Sequence, residues 1–248
     1  DNERYTPVTL SASILKKMIN DYNDNHGCDI KKAVITVPAY FGQQERDATK
    51  MAGKVAGLDD VTIINEPTAA AISFGLGSDG TKKRVLVYDL GGGTFDVTVL
   101  EIDGTAFTAV ATDGERLLGG KDWDAVITKL IKQKVMDEAG VEEYELDEDD
   151  DVRQALVLDS ETIKKRLSTA ESTKGTLSVG GKKVVYTITR AEFEAASAPL
   201  MNTTLEIIER ALASGNFTVK DIDDFVLVGG SSRMPQVKNG ISARFAGT

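Results

Sequence analysis

One cysteine, one histidine and one tryptophan occur in the 248 residues of this sequence. Each scarcity closes off a chemistry. A lone cysteine, Cys28, rules out an internal disulfide and agrees with a reducing compartment, so a cytoplasmic location is expected. One histidine cannot build a histidine-based metal centre, and one cysteine leaves a zinc site short of soft ligands. A Ser-His-Asp triad would have to use His26. That residue lies in Asp24-Asn-His-Gly27, which reads as a helix end, where a histidine complements the helix dipole. No apolar run approaches the roughly 18 residues of a membrane span. The P-loop pattern Gly-x-x-x-x-Gly-Lys-Ser/Thr is absent. Positive charge is also short: 29 Lys and Arg stand against 39 Asp and Glu, a formal charge of −10. Such an acidic surface suits neither nucleic acid nor an anionic membrane. The opening residues carry no signal-peptide pattern. They begin with Asp1 and read as the interior of a protein, so an excised fragment is expected.

What is present alternates strand and helix. Thr6-Pro7 opens a helix at N-cap and N1, and Leu10, Ile14, Leu15, Met18, Ile19 and Tyr22 keep helical spacing up to Gly27. Ala33–Val37 reads as a buried strand ended by Pro38. Gln43–Ala56 reads as a helix, Val61–Ile64 as a strand, and Thr68–Ile72 as a short helix behind Pro67. This order predicts a mostly parallel α/β sheet. A hairpin is predicted from Arg84–Leu90 and Phe95–Ile102, then a glycine-rich loop running into a helix over 117–135. The stretch 142–151 has eight acids in ten positions and predicts a solvated loop or frayed helix end. A long helix over 152–172, a hairpin over 175–188, a helix over 190–214 and a strand over 224–228 complete the pattern.

Two motif matches lack their context. Gly75-Leu-Gly-Ser-Asp-Gly80 spells the dinucleotide fingerprint, but a helix precedes it and a strand follows, the reverse of the required order. Asn202-Thr-Thr and Asn216-Phe-Thr fit the glycosylation pattern, which means little without a secretory signal.

The polar residues that stand out sit at strand ends. Asp89 ends one strand and is followed by Gly91, Gly92, Gly93 and Thr94. Glu66 follows a second strand, and Gly229-Gly230-Ser231 follows a third. Ligands of open α/β sheets bind beyond the carboxyl ends of strands. Glycine N–H groups can cradle phosphate oxygens where a Cβ would block approach, and Thr94 can add a hydroxyl. Asp89 and Glu66 offer hard oxygens for Mg²⁺ through waters, because Mg²⁺ dehydrates reluctantly. The alternative for Gly91 to Gly93 is a flexible hairpin turn, which glycine also serves.

Val37-Pro-Ala-Tyr-Phe41, Ile64-Asn-Glu-Pro-Thr-Ala-Ala-Ala71, Asp89-Leu-Gly-Gly-Gly-Thr-Phe-Asp96 and Leu227-Val-Gly-Gly-Ser-Ser-Arg-Met-Pro235 resemble, in order, the signature segments of the Hsp70 (DnaK-like) chaperones. The resemblance covers essentially the whole chain. It implies the α/β actin-like ATPase (ribonuclease H-like) fold, two lobes around a cleft for ATP or ADP with Mg²⁺. Residues 1–77 would be the remainder of lobe I, 78–118 and 199–248 the two parts of inner lobe II, and 119–198 outer lobe II. Asp89 matches the family's acidic residue near Mg²⁺, Gly91, Gly92, Gly93 and Thr94 its second phosphate loop, and Glu66 a carboxylate near the hydrolytic water and metal. Gly229, Gly230, Ser231 and Arg233 match its adenosine segment. Glu161, Lys164, Lys165 and Ser168 match the helix face that holds ribose and adenine; their i, i+3, i+4, i+7 spacing does put them on one face. On spacing alone, a surface i, i+4 ion pair is the preferred reading of that face.

The resemblance further implies Mg-ATP hydrolysis, client peptides bound by a C-terminal domain beyond this chain, a J-domain co-chaperone and a nucleotide-exchange factor. The family's first phosphate loop and catalytic lysine would lie upstream of Asp1. The fragment alone is therefore expected to bind nucleotide weakly and not to hydrolyse it. In Gly119-Gly-Lys-Asp-Trp-Asp124 the family usually has Glu and Phe at the places of Lys121 and Trp123. Together with the acidic run, this leaves the exchange partner open. An Hsp110-like exchange factor is the main alternative. An actin-like filament ATPase is a weaker one, because it is not expected to carry Asn65-Glu66-Pro67.

Overall fold

A computed structural model of the chain describes residues 5–77 and 80–245. Ser78 and Asp79, inside the dinucleotide-like stretch, lie outside the described residues. The chain divides into two compact units: Asp1–Thr81 with Ile102–Ala109, and Lys82–Glu101 with Val110–Thr248.

In the first unit, helix α1 (Pro7–His26) starts where Thr6 and Thr9 cap each other, with Pro7 at the head, and stops at Gly27 in the left-handed region, φ 62°. Strands β1 (Lys32–Val37) and β2 (Asp60–Asn65) pair in parallel, with Val37 opposite Asn65. Helix α2 (Gln43–Val55) joins them and packs on α1 through Ala12, Ala52 and Ala56, with Val8, Leu15 and Ile19 against that seam. The other apolar stripe of α1, Leu10, Ile14, Met18 and Tyr22, is exposed. His26 occupies the last turn as the sequence suggests, its ring stacked on Tyr22 with centroids 4.0 Å apart. Helix α3 (Glu66–Ser73) follows β2 directly, with Asn65 as its N-cap residue and Pro67 in its first turn.

The second unit is built on a sheet of order β5-β4-β3-β8. Strand β3 (Lys82–Leu90) runs through the centre, pairing in parallel with β8 (Asp224–Val228), so both deliver their carboxyl ends to one edge. Strand β4 (Phe95–Asp103) completes the expected hairpin. Strand β5 (Ala106–Glu115) is not legible beforehand. It is rich in Ala and Thr and half-exposed, and its pairing with β4 supplies what its sequence does not.

Helix α4 (Gly120–Ala139) buries Trp123, Ile127, Ile131 and Val135 at successive i+4 steps. It packs on α6 (Asp150–Leu167) and on the antiparallel pair β6 (Ser172–Val179) and β7 (Lys182–Thr189). Helix α7 (Arg190–Ser214) is tied to β3, where the hydroxyl of Tyr88 donates to Oγ1 of Thr204 at 3.1 Å. Helix α8 (Pro235–Arg244) closes the described chain.

Two expectations need correction. The acidic run forms a helix, α5 (Glu143–Glu148), rather than a loop. Leu146 in its middle is fully buried, and Lys132 of α4 pairs with Glu143 and Asp147. Asp149 then caps α6, accepting from the N–H groups of Asp151 and Val152 at 3.0 and 3.1 Å. Helix α6 also ends at Leu167 rather than at 172, with Ser168 as its C-cap. Arg190 terminates it by donating to the carbonyls of Leu167 and Ala170.

Candidate functional site

The turn between β3 and β4 is held from two sides. The Gly91 N–H donates to the Thr94 carbonyl at 3.0 Å, which closes the hairpin. The start of α4 then fixes the turn's carbonyls: Gly120 N–H donates to Gly91 O and Lys121 N–H to Gly92 O, each at 2.9 Å. This close approach needs Gly119, because a Cβ there would collide with the backbone at Gly92 and Gly93. The consequence is directional. The carbonyls point at α4, and the N–H groups of Gly92, Gly93 and Thr94 have no acceptor among the described residues. A Cβ on Gly92 or Gly93 would meet no atom within 4 Å. Three successive N–H groups without an acceptor at a glycine turn are a nest suited to an anion.

Two carboxylates flank the turn. Asp89 is half-buried at the end of β3, and burial raises its pKa. Asp96 stands at the second position of β4. Burial, then the neighbouring charge of Asp89, push Asp96 up to about 6, against the opposing charge of Arg116. A partly desolvated pair of like charges calls for a cation. Among the described residues, no three His, Cys, Asp or Glu side chains converge as a metal site. A cation here would therefore draw further oxygens from water and from a bound phosphate, the mode that Mg²⁺ favours. The sequence alone gives Asp96 no role. Its signal is an acid at the second position of the strand, directly after the glycines.

The remaining residues gather around α4 and the end of β8. Gly229, with φ 85°, lies so close to β3 that a Cβ would strike Leu90 and come 2.8 Å from Oδ1 of Asp89. Ser231 is buried, and Gly229, Gly230 and Arg233 are exposed. A Cβ on Gly120 would collide with Oγ of Ser231 and lie 2.9 Å from Nζ of Lys164. Lys164, Ser231 and the glycine turn thus meet at one point.

The helix face singled out in α6 divides. Lys164 is buried; its ammonium donates to the Gly120 carbonyl and to Oδ2 of Asp124, both at 2.9 Å. Burial raises the pKa of Asp124, and Lys164 pulls it back. Glu161 and Lys165 are exposed and pair with each other at 2.7 Å. Ser168 donates to the Lys164 carbonyl at 3.3 Å. Glu66 belongs to the first unit, half-buried at the first position of α3. It is set there by Asn65, whose side chain Arg46 of α2 holds at 2.7 Å.

A glycine nest at a parallel strand end, beside two carboxylates, defines an α/β protein equipped to hold a phosphorylated ligand with a divalent cation. Comparison with known proteins then gives the family. Residues 1–247 match the family described as Hsp70 protein. The chain is 41% identical over 251 aligned residues to the chaperone protein DnaK of Thermosipho melanesiensis, an alignment covering 99% of this chain and 42% of that protein. The chain belongs to the Hsp70 family, whose fold is that of the actin-like ATPases, and spans less than half the length of the curated relative it matches.

Proposed function

We propose that the chain is the nucleotide-handling part of an Hsp70-type chaperone that binds Mg-ATP, hydrolyses it to ADP and uses the difference to control peptide binding. The observation that carries this reading is the turn itself: three N–H groups without acceptors, opening beside Asp89 and Asp96. The N–H groups of Gly92, Gly93 and Thr94 hold phosphate oxygens. Asp89, with Asp96, holds Mg²⁺ through waters; when bound, that ion neutralises charge on the phosphates. Glu66 orients the hydrolytic water, an assignment that rests on the Ile64–Ala71 motif. Gly229, Gly230, Ser231 and Arg233, with Glu161, Lys165 and Ser168, form the adenosine side, whereas the buried Lys164 is turned toward Gly120 and Asp124. Hydrolysis of this kind depends chiefly on positioning and charge stabilisation. Client peptides, a J-domain protein and an exchange factor are the partners this reading implies, in the cytoplasm.

The test is titration calorimetry of ADP with Mg²⁺ against the protein at its natural length and its Gly92→Val variant. The added side chain enters open space, so thermal unfolding should be nearly unchanged, while ADP affinity falls by about tenfold or more. Equal ADP affinity in the two proteins would overturn the assignment of the turn.

A further inference from the structure

We infer that Lys164 acts on the phosphate loop from behind: with Asp124 it forms a clasp that orients and polarises the Gly93 N–H through two successive peptide groups. This rests on the reading of Gly91 to Gly93 as a phosphate site and adds to it a positioning device.

The path is continuous. The Lys164 ammonium donates to the carbonyl of Gly120 at 2.9 Å. That carbonyl and the Lys121 N–H belong to one peptide group, and the Lys121 N–H donates to the Gly92 carbonyl at 2.9 Å. The Gly92 carbonyl in turn shares its peptide group with the Gly93 N–H. A positive charge at one end of such a chain draws electron density along it, and hydrogen bonds in series strengthen one another where the dielectric is low. The last donor in the series is one of the three without an acceptor. Its acidity, and so its hydrogen bond to an anion, is raised without Lys164 touching that anion.

Asp124 fixes the lysine. Its Oδ1 and Oδ2 lie 2.8 and 2.9 Å from the ammonium, which is buried between α4 and α6. Two of the three ammonium donors are committed, to Asp124 and to Gly120. The aspartate lies on the first turns of α4, the element whose N–H groups grip the glycine turn. The ion pair therefore locks α6 to the part of α4 that sets the loop. The side chain of Lys121 plays no part in this relay, since its contribution is its backbone N–H and its side chain is exposed. The departure from the family's usual residue there leaves the device intact.

A residue that merely contacts adenosine and one that positions the phosphate loop differ in what they discriminate. The experiment measures adenosine and ADP binding, with Mg²⁺, by calorimetry on the protein at its natural length and on two variants. Lys164→Met removes the charge. Lys164→Met with Asp124→Leu removes the whole pair and avoids stranding a buried carboxylate, which protects folding. The amide signal of Gly93 is followed by NMR in the same proteins without ligand, with Gly91 as the internal control.

The expected result is that adenosine affinity changes little while the gain from adenosine to ADP shrinks by about tenfold or more, the factor of one charge-assisted hydrogen bond. The Gly93 amide proton should shift and Gly91 should not. Equal losses for adenosine and ADP would overturn the proposal and make Lys164 an adenosine contact. An unmoved Gly93 signal would overturn the relay. If the unaltered protein bound ADP no better than adenosine, the phosphate-loop reading would itself fail, a result separable from the other two.

Discussion

Asp89 and Val228 are partners in the parallel register of β3 and β8, and this pairing brings Gly229 against the Asp89 carboxylate. The sheet therefore juxtaposes residues about 140 positions apart in sequence, as parallel pairing through a long connection allows. Gly229→Ala tests the arrangement. The variant combines a Cβ at φ 85° with a collision against Leu90. It should lower stability on the order of 1–3 kcal/mol, read as a drop in Tm, and weaken ADP binding in the folded fraction. Unchanged Tm would contradict the close approach of β8 to Asp89.

Asp96 predicts a pH dependence. Its pKa is raised from 3.8 to about 6, so between those values the folded protein keeps a proton that the unfolded chain gives up. The folded state then binds more protons, and stability falls as pH rises through that window. Asp96→Asn removes the ionisation. Without metal or nucleotide, the variant should be the more stable protein at pH 7, and its advantage should vanish toward pH 4. An advantage independent of pH would show that Asp96 is not strained by its charge.

Glu192 has the opposite sign. Its bond from Lys134, then those from Thr189, lower its pKa from 4.5 to about 2. Its contribution is therefore complete above 4.5 and lost as pH falls toward 2. Glu192→Gln should destabilise at pH 7 and become neutral near pH 2 in denaturation curves. Thr189→Ala, which deletes the other half of this helix cap, should cost about 1 kcal/mol.

Glu66→Gln keeps the shape of the first residue of α3 and removes its charge. If Glu66 orients the hydrolytic water, steady-state turnover in the protein at its natural length should fall far more than ATP affinity, the pattern of a transition-state contact. Equal losses would mark it as a binding or folding residue.

Much of the candidate site is legible in the sequence because its chemistry is local. The glycine turn, Asp89, the helix start at Glu66 and the Gly229-Gly230 segment each declare a strand end by residue type. Asp96 is not legible as a site residue because it is one of three acids in a strand that mixes polar and apolar residues, and only the fold puts Asp89 beside it. The acidic run predicts a solvated loop or frayed helix end because eight charges hide the single Leu146 that anchors it. Strand β5 is not legible because half-exposed Ala and Thr carry little periodicity, and a strand paired along β4 does not need it.

Apart from β5 and α5, the helix and strand order, with the turn chemistry and the family signatures, was determined by the sequence alone, since periodicity, caps and glycine conformations depend on neighbours a few residues away. The environment of Lys164 was decided only by tertiary structure. Spacing put it on one face with Glu161, Lys165 and Ser168, and it could not distinguish a lysine facing solvent from one buried against α4. The difference lies in Asp124 and Gly120, some forty residues earlier and brought within 3 Å by the packing of α4 on α6. A charge is buried only where a partner and a carbonyl are already in place to receive it, and that condition belongs to the fold.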